Sequence, residues 1–245
     1  MQSEIQNEEW FETFCAQGLI DDVLFQLKSG KEATVYCCKA CPSTCKNLLA
    51  AKVYRDSHHR NFSNDAAYRE GRYLVKVRVR HAVEKNTDFG KLVKQHLWVG
   101  KEFETLKTLW QAGTDVPKPY DMGGNAILME FVGCDNTPAP LLRDMILEKQ
   151  KAEKIFDRII DNIEVFLANN IVHADLSPFN ILYDSGKICI IDFPQAVDPR
   201  FNRNAFDFLK RDVENICKFF GKFGVEANST DISTDLWTRF MYGRL

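Results

Sequence analysis

The chain is 245 residues long, 45% hydrophobic and nearly neutral, with a formal net charge of -2. That is ample material for a core, in one large domain or two small lobes. The charge balance excludes a general attraction to nucleic acid or membrane. There is no apolar run of about 18 residues, and the acidic start MQSEIQNEEWF lacks the basic and apolar parts of a signal peptide, so a cytoplasmic protein without a membrane partner is expected.

Residues 1–22 are expected to form a helical extension. In VLFQLKSGKEATVYCC two short β-favouring runs flank a turn at Ser29 and Gly30, and LLAAKVYRD adds a third, which predicts three antiparallel strands. Cys37 and Cys38 at the end of the second run crowd together with Cys41 and Cys45, which follow it. Structural zinc sites usually present two close pairs of ligands, whereas Cys15, Cys134, Cys189 and Cys217 are scattered singly, so reduced thiols are expected rather than a metal. From Arg55 to about His96 the apolar pattern dissolves into charges, which predicts an insertion, mobile or partly helical, in which Leu74, Val75, Val77 and Val79 offer a strand. Trp98, Phe103, Leu106 and Leu109 fall at near-helical spacing, ended by Gly113 and VPKP. NAILMEFVG then reads as a buried strand after a turn at Gly123 and Gly124.

GCDNTPAP, residues 133–140, marks the seam, giving one lobe over 23–132 with its insertion at about 55–96 and a second over 133–245. In the second, Ile155, Ile159, Ile163 and Phe166 make an apolar stripe over KIFDRIIDNIEVFLANN, the signature of an amphipathic helix. ILYDSGKICIID reads as a hairpin turning at Asp184, Ser185 and Gly186. RDVENICKFFGKFG reads as another helix, with Val213, Ile216, Phe219 and Phe220 on one face.

Between those elements lies IVHADLSPFNILYDSGKICIIDFPQAV, which sets Asp175, Asn180 and Asp192 among apolar runs. Carboxylates in such surroundings need hydrogen bonds, a cation or a metal. Asp175 and Asn180 share a loop and Asp192 ends the following strand, so the three can converge. A carboxylate and an amide oxygen, with phosphate oxygens, suit Mg²⁺, and a second carboxylate nearby can orient or deprotonate a hydroxyl. Any one of these residues alone would read as a cap or turn residue, and His173 as a hydrogen-bonded core histidine. Their order and spacing, with Lys52 in the strand AAKVY and Glu102 in the helix KEFETL, raise them above that reading.

The chain resembles the RIO atypical protein kinases from about Leu24 to Gly221, on SGKEATVY, HADLSPFN and IDFPQAV. The resemblance implies an α+β, two-lobed protein-kinase-like fold, with an antiparallel sheet and helix in the first lobe and a reduced, mainly helical second lobe. It implies that Ser29, Gly30, Lys31 and Glu32 form a short phosphate loop, that Lys52 and Glu102 form an ion pair, and that Met129, Glu130 and Phe131 form the adenine-binding hinge. Asp175 would be the catalytic acid-base residue. Asn180 and Asp192 would hold the metal, and Asp192 would also be catalytic as a carboxylate able to take the phosphoryl group. ATP and Mg²⁺ are the implied cofactors, with Mn²⁺ as an alternative ion. A serine or threonine of a protein, or water in an ATPase switch, is the implied acceptor, and a ribosomal subunit or pre-ribosomal particle the implied partner. Ser57 and Ser63, nearest to Lys52, are the expected autophosphorylation sites, on a flap. Ala174 stands where ordinary kinases carry an arginine, so switching by an activation-loop phosphate is not expected. Ser177 stands where they carry a lysine, which suits slow turnover. No Ala-Pro-Glu follows Asp192, so the helices with which ordinary kinases hold peptide substrates are not expected. A small-molecule phosphotransferase of the aminoglycoside or choline kinase type shares His-x-Asp-x4-Asn, and a pseudokinase scaffold is the non-enzymatic alternative.

Overall fold

The computed structural model describes residues 8–55 and 88–245, and the expectations placed on Ser57, Ser63 and the Leu74 to Val79 run lie outside the described residues. Within the described chain, 8–55, 88–104 and 117–138 form one compact unit, and 105–116 and 139–245 form another.

The first unit is built on a five-stranded antiparallel sheet. Its strands are β1 (Ile20–Ser29), β2 (Ala33–Ala40), β3 (Leu48–Tyr54), β4 (Pro119–Gly123) and β5 (Ala126–Glu130), in the order β1-β2-β3-β5-β4. Strand β1 begins at Ile20, three residues ahead of the lobe boundary expected at Val23. Successive side chains of a strand face opposite sides, and β3 uses both. Leu49, Ala51 and Val53 enter a core with Trp10 and Phe14 of helix α1 (Glu9–Ala16), while Lys52 takes the other face. Burying Trp10 and Phe14 is worth roughly 1.5–3 kcal/mol each. The fit is close: a Cβ on Gly123 would lie 3.0 Å from the Phe14 ring and from the Thr13 methyl. Strand β4 was not foreseen, because VPKP reads as a breaker. It is an edge strand, where a proline is tolerated.

Helix α2 (Asp88–Gln111) begins well before Trp98, inside the stretch expected as an insertion. Gly113, at φ +78, follows its end. A small ribbon of β6 (Gly133–Cys134) and β7 (Thr137–Pro138) completes the first unit.

In the second unit, α3 (Lys149–Ala168) buries Ile155, Ile159, Ile163 and Phe166, the stripe expected of it. It packs on α4 (Ala205–Gly221), where Phe156 meets Phe220 edge-on at 5.7 Å. The hairpin β8 (Ile181–Asp184) and β9 (Lys187–Ile190) pairs Ile181 with Ile190. Helix α5 (Ser229–Met241) was not foreseen. The Asn228 side chain caps it by accepting from the Thr230 and Asp231 N–H groups, and Trp237 packs on Phe206 of α4 at 5.4 Å. Among the described residues no disulfide joins the cysteines, and Cys41 Sγ donates to Asp21 Oδ1 at 2.8 Å.

Candidate active site

The first unit presents a buried ion pair. Lys52 Nζ lies 2.8 Å from Glu102 Oε1, with the two side chains 10% and 2% exposed. The ammonium also sits 5.2 Å from the centroid of the Tyr54 ring, which in turn meets Trp98 edge-on at 5.2 Å. Burying two charges costs several kcal/mol per ion before their attraction returns it, so such a pair is weak evidence for stability and stronger evidence for a function.

The expected phosphate loop is the turn between β1 and β2. Ser29 ends β1, and the Gly30 N–H donates to Ala33 O at 2.8 Å. Lys31 and Glu32 are exposed at its tip. Arg55 ties the turn to the end of β3, donating from its side chain to Ser29 Oγ at 2.5 Å and from its N–H to Glu32 O at 3.0 Å. Met129 and Glu130 close β5. The Glu130 N–H is spent on Lys118 O, and its carboxylate meets Lys46 Nζ at 2.7 Å near the surface, where such pairs add about 0–1 kcal/mol. Phe131 follows, half-buried.

The second unit brings the loop and the strand end together. His173 Nε2 lies 3.2 Å from Ile191 O, and the Ile191 N–H donates to Asn180 O at 2.9 Å. Asp192, the next residue, is thereby set beside the loop, at φ +74. Ser177 caps the single turn Pro178–Asn180 by accepting from the Phe179 N–H. Asn180 Nδ2 donates to Asp175 O at 2.8 Å, which turns the amide nitrogen toward Asp175 and leaves the amide oxygen as the donor atom for a cation. The Asp175 side chain reaches solvent, yet the protein around its carboxyl raises its pKa by desolvation, and the charge of Asp192 raises it further. Arg211 and the Asn180 amide act in the opposite direction. Two carboxylates that disfavour each other's charge beside an amide oxygen form a hard-oxygen donor set, the kind Mg²⁺ takes. The residues present fit that ion.

Three residues that hold the backbone beside Asp175 were missed by sequence reasoning, all on α4. Asp212, 2% exposed, accepts from the Ala174 N–H at 2.7 Å and from the Leu176 N–H at 2.8 Å. Asn215 Nδ2 donates to Leu176 O at 3.0 Å, and Arg211 Nη2 donates to Ala174 O. Both neighbours of Asp175 are thus held by one helix. Burial pushes the Asp212 carboxyl up to about 8, against the pull of its two N–H donors and Arg211. The available signal was a carboxylate inside the apolar stripe Phe208, Leu209, Val213 and Ile216.

A five-stranded antiparallel sheet bearing a lysine paired to a helical glutamate, with a helical unit carrying Asp175, Asn180 and Asp192, defines a protein-kinase-like fold. Residues 34–233 match the RIO domain. The chain belongs to the RIO family. It is 35% identical over 188 residues to the RIO-type serine/threonine-protein kinase Rio1 of Thermoplasma acidophilum, covering 76% of this chain and 92% of that protein. It is 35% identical over 204 residues to the serine/threonine-protein kinase RIO1 of Caenorhabditis elegans, covering 83% of this chain but 38% of that longer protein. Its fold is similar to the Rio2 kinase of Chaetomium thermophilum in an ADP/Mg²⁺-phosphoaspartate complex, with a TM-score of 0.67 at 22% identity over 92% of this chain and 64% of that one. Among the described residues no helix is long and apolar enough to cross a membrane.

Proposed function

We propose that the chain is an ATP- and Mg²⁺-dependent RIO-type serine/threonine kinase, with ATP hydrolysis as a second outcome of the same chemistry. The buried pair of Lys52 and Glu102 carries the reading, because a costly charge pair on the sheet face turned away from α1 is accounted for by a phosphate that needs a fixed ammonium. Its names among relatives, serine/threonine-protein kinases of the same family, point the same way.

In this reading Lys52 holds phosphate oxygens, Glu102 fixes Lys52, and the turn of Ser29, Gly30, Lys31 and Glu32 covers the phosphates, with the Gly30 N–H kept by Ala33 O. Met129, Glu130 and Phe131 border the adenine. Asn180 and Asp192 hold Mg²⁺, which when bound screens the triphosphate and aligns its terminal group; Mn²⁺ has the same ligand preferences. Asp175 accepts the proton of an attacking hydroxyl as its oxygen bonds to the γ-phosphorus and the bond from phosphorus to the β-bridging oxygen breaks, releasing ADP. Where no protein hydroxyl is presented, water or the Asp192 carboxylate is the acceptor. Ser177, where ordinary kinases carry a lysine, leaves less positive charge to steady the transferring group and suits slow turnover. A protein hydroxyl is the acceptor class, a ribosomal particle the partner and the cytoplasm the location that this family reading favours.

The test is incubation with γ-labelled ATP and Mg²⁺, alone and with ribosomal subunits, for wild type, Asp175→Asn and Asp192→Ala. Asp175→Asn is expected to lower turnover about 10²–10⁴-fold and Asp192→Ala to abolish Mg²⁺-dependent labelling. Hydroxylamine-sensitive label marks an acyl phosphate, and hydroxylamine-stable label marks serine or threonine. An Asp192→Ala protein that hydrolyses ATP and labels itself like wild type defeats the metal assignment.

A further inference from the structure

Ala174 is fully buried and sits at φ +65, a left-handed conformation that residues with a Cβ enter only at a cost. It immediately precedes Asp175. Its two backbone polar groups are gripped by successive residues of α4: the N–H donates to Asp212 Oδ2 at 2.7 Å, and the carbonyl accepts from Arg211 Nη2. The two grips differ in what they fix. Asp212 also takes the Leu176 N–H and so spans Asp175. Arg211 takes the oxygen of the one peptide plane that joins Ala174 to Asp175. The other edge of that plane, the Asp175 N–H, makes a long contact of 3.3 Å with His173 Nδ1. Rotation of this plane breaks the bond from Arg211 and shifts the nitrogen on which the Asp175 side chain is built, while both bonds to Asp212 stay in place, so Arg211 resists a motion that Asp212 does not.

We infer that Arg211 is a positioning residue for phosphoryl transfer, locking the strained peptide between Ala174 and Asp175 so that the Asp175 carboxylate stays aimed at the incoming hydroxyl. The inference rests on the reading of Asp175 as the acid-base residue. The small buried Ala174 cannot supply a guanidinium at its own position, and α4 brings one from 37 residues away in sequence. Arg211 is itself steered by its stack over Phe208, with 5.2 Å from the guanidinium carbon to the ring centroid. Its charge opposes the upward push on both Asp175 and Asp212.

The test compares Arg211→Ala and Arg211→Lys in two backgrounds, wild type and Ala174→Gly, because glycine adopts positive φ freely. For Arg211→Ala, kcat is expected to fall about 10–100-fold, the scale of an ångström-sized misplacement, with KM for MgATP held within about threefold. Arg211→Lys, which keeps a donor and a charge, recovers part of the loss. In the Ala174→Gly background the same Arg211→Ala change costs less than about threefold, since the strain that Arg211 restrains is gone. An equal loss in both backgrounds, a loss carried by KM, or wild-type turnover in folded Arg211→Ala overturns the inference. Amide exchange gives a readout independent of turnover: Arg211→Ala should speed exchange at the Asp175 N–H, which turns with the plane, and leave Ala174, Leu176 and α4 unchanged. Unaltered exchange at Asp175 sinks the inference, whereas a wild-type protein that transfers no phosphate while this exchange changes sinks only the kinase reading.

Discussion

Replacing Glu102 by alanine separates what the buried ion pair does for stability from what it does for chemistry. The change leaves the Lys52 ammonium, 10% exposed, without the carboxylate 2.8 Å away. Removing one partner of a buried pair destabilises by about 3–5 kcal/mol. The cation–π contact of Lys52 with Tyr54 survives, but at about 0.5–2 kcal/mol it is too weak to compensate. Removing both charges, as Lys52→Met with Glu102→Leu, should recover most of the loss, because apolar replacements of similar volume are often neutral. The forfeited contact with Tyr54 then sets the residual deficit. Urea unfolding followed by circular dichroism measures the first quantity, and ATP turnover with MgATP affinity measures the second. The expected pattern is stability lost in the single variant and regained in the double, with turnover lost in both. A double variant that regains turnover, or a single variant within about 1 kcal/mol of wild type, would refute the argument that this pair is kept for phosphate binding.

The other expectations concern packing and protonation. Gly123→Ala pushes a methyl to within 3.0 Å of Phe14 and Thr13 and should destabilise by about 1–3 kcal/mol, read as a lower urea midpoint at unchanged slope. Trp10→Ala empties a side chain that is 1% exposed and stacked on Tyr36 at 5.9 Å, and should cost about 3–5 kcal/mol in the same assay. Asp212, pushed up to about 8 by burial, binds its proton more tightly folded than unfolded, so its contribution to stability is full below the ordinary aspartate range and is lost as pH rises through about 8. Asp212→Asn should therefore flatten the fall of stability between pH 5 and pH 9, measured by urea titrations across that range; an unchanged slope would place the pH dependence elsewhere.

What the sequence made legible follows from where each interaction's information lies. The stripe of Ile155, Ile159, Ile163 and Phe166 is local, and the helix it predicts is there. The alternation in LLAAKVY likewise separates Lys52 from Leu49, Ala51 and Val53 without reference to any other segment. Asp175, Asn180 and Asp192 were legible together because one loop and one hairpin connect them. Strand β4 was hidden because a proline reads as a breaker until the strand is known to lie at an edge. Helix α5 was hidden by its polar content, although Asn228 ahead of Ser229, Thr230 and Asp231 is a capping signal. The mount on α4 was least legible of all. Arg211, Asp212 and Asn215 act on the backbone of Ala174 and Leu176, and a backbone partner leaves no mark on the sequence it belongs to.

The same distinction accounts for the form of the stretch Ile191, Asp192 and Phe193. Asp192 is held at φ +74, and a residue in that region costs of order 1–3 kcal/mol unless its surroundings fix it. Aspartate tolerates the region better than most side chains, but tolerance alone does not select one conformation. The neighbours do that. On one side both backbone groups of Ile191 are engaged, its N–H with Asn180 O and its carbonyl with His173. On the other side Phe193, 1% exposed, is wedged edge-on against Phe166 at 5.6 Å and lies 4.6 Å from the His173 ring. Burial of one phenylalanine is worth about 1.5–3 kcal/mol, the same size as the strain it has to restrain. The aromatic residue after the aspartate therefore has a mechanical purpose: it anchors the chain in the α3 core, so that Asp192, one residue earlier, is held in its left-handed conformation beside the loop of Asn180.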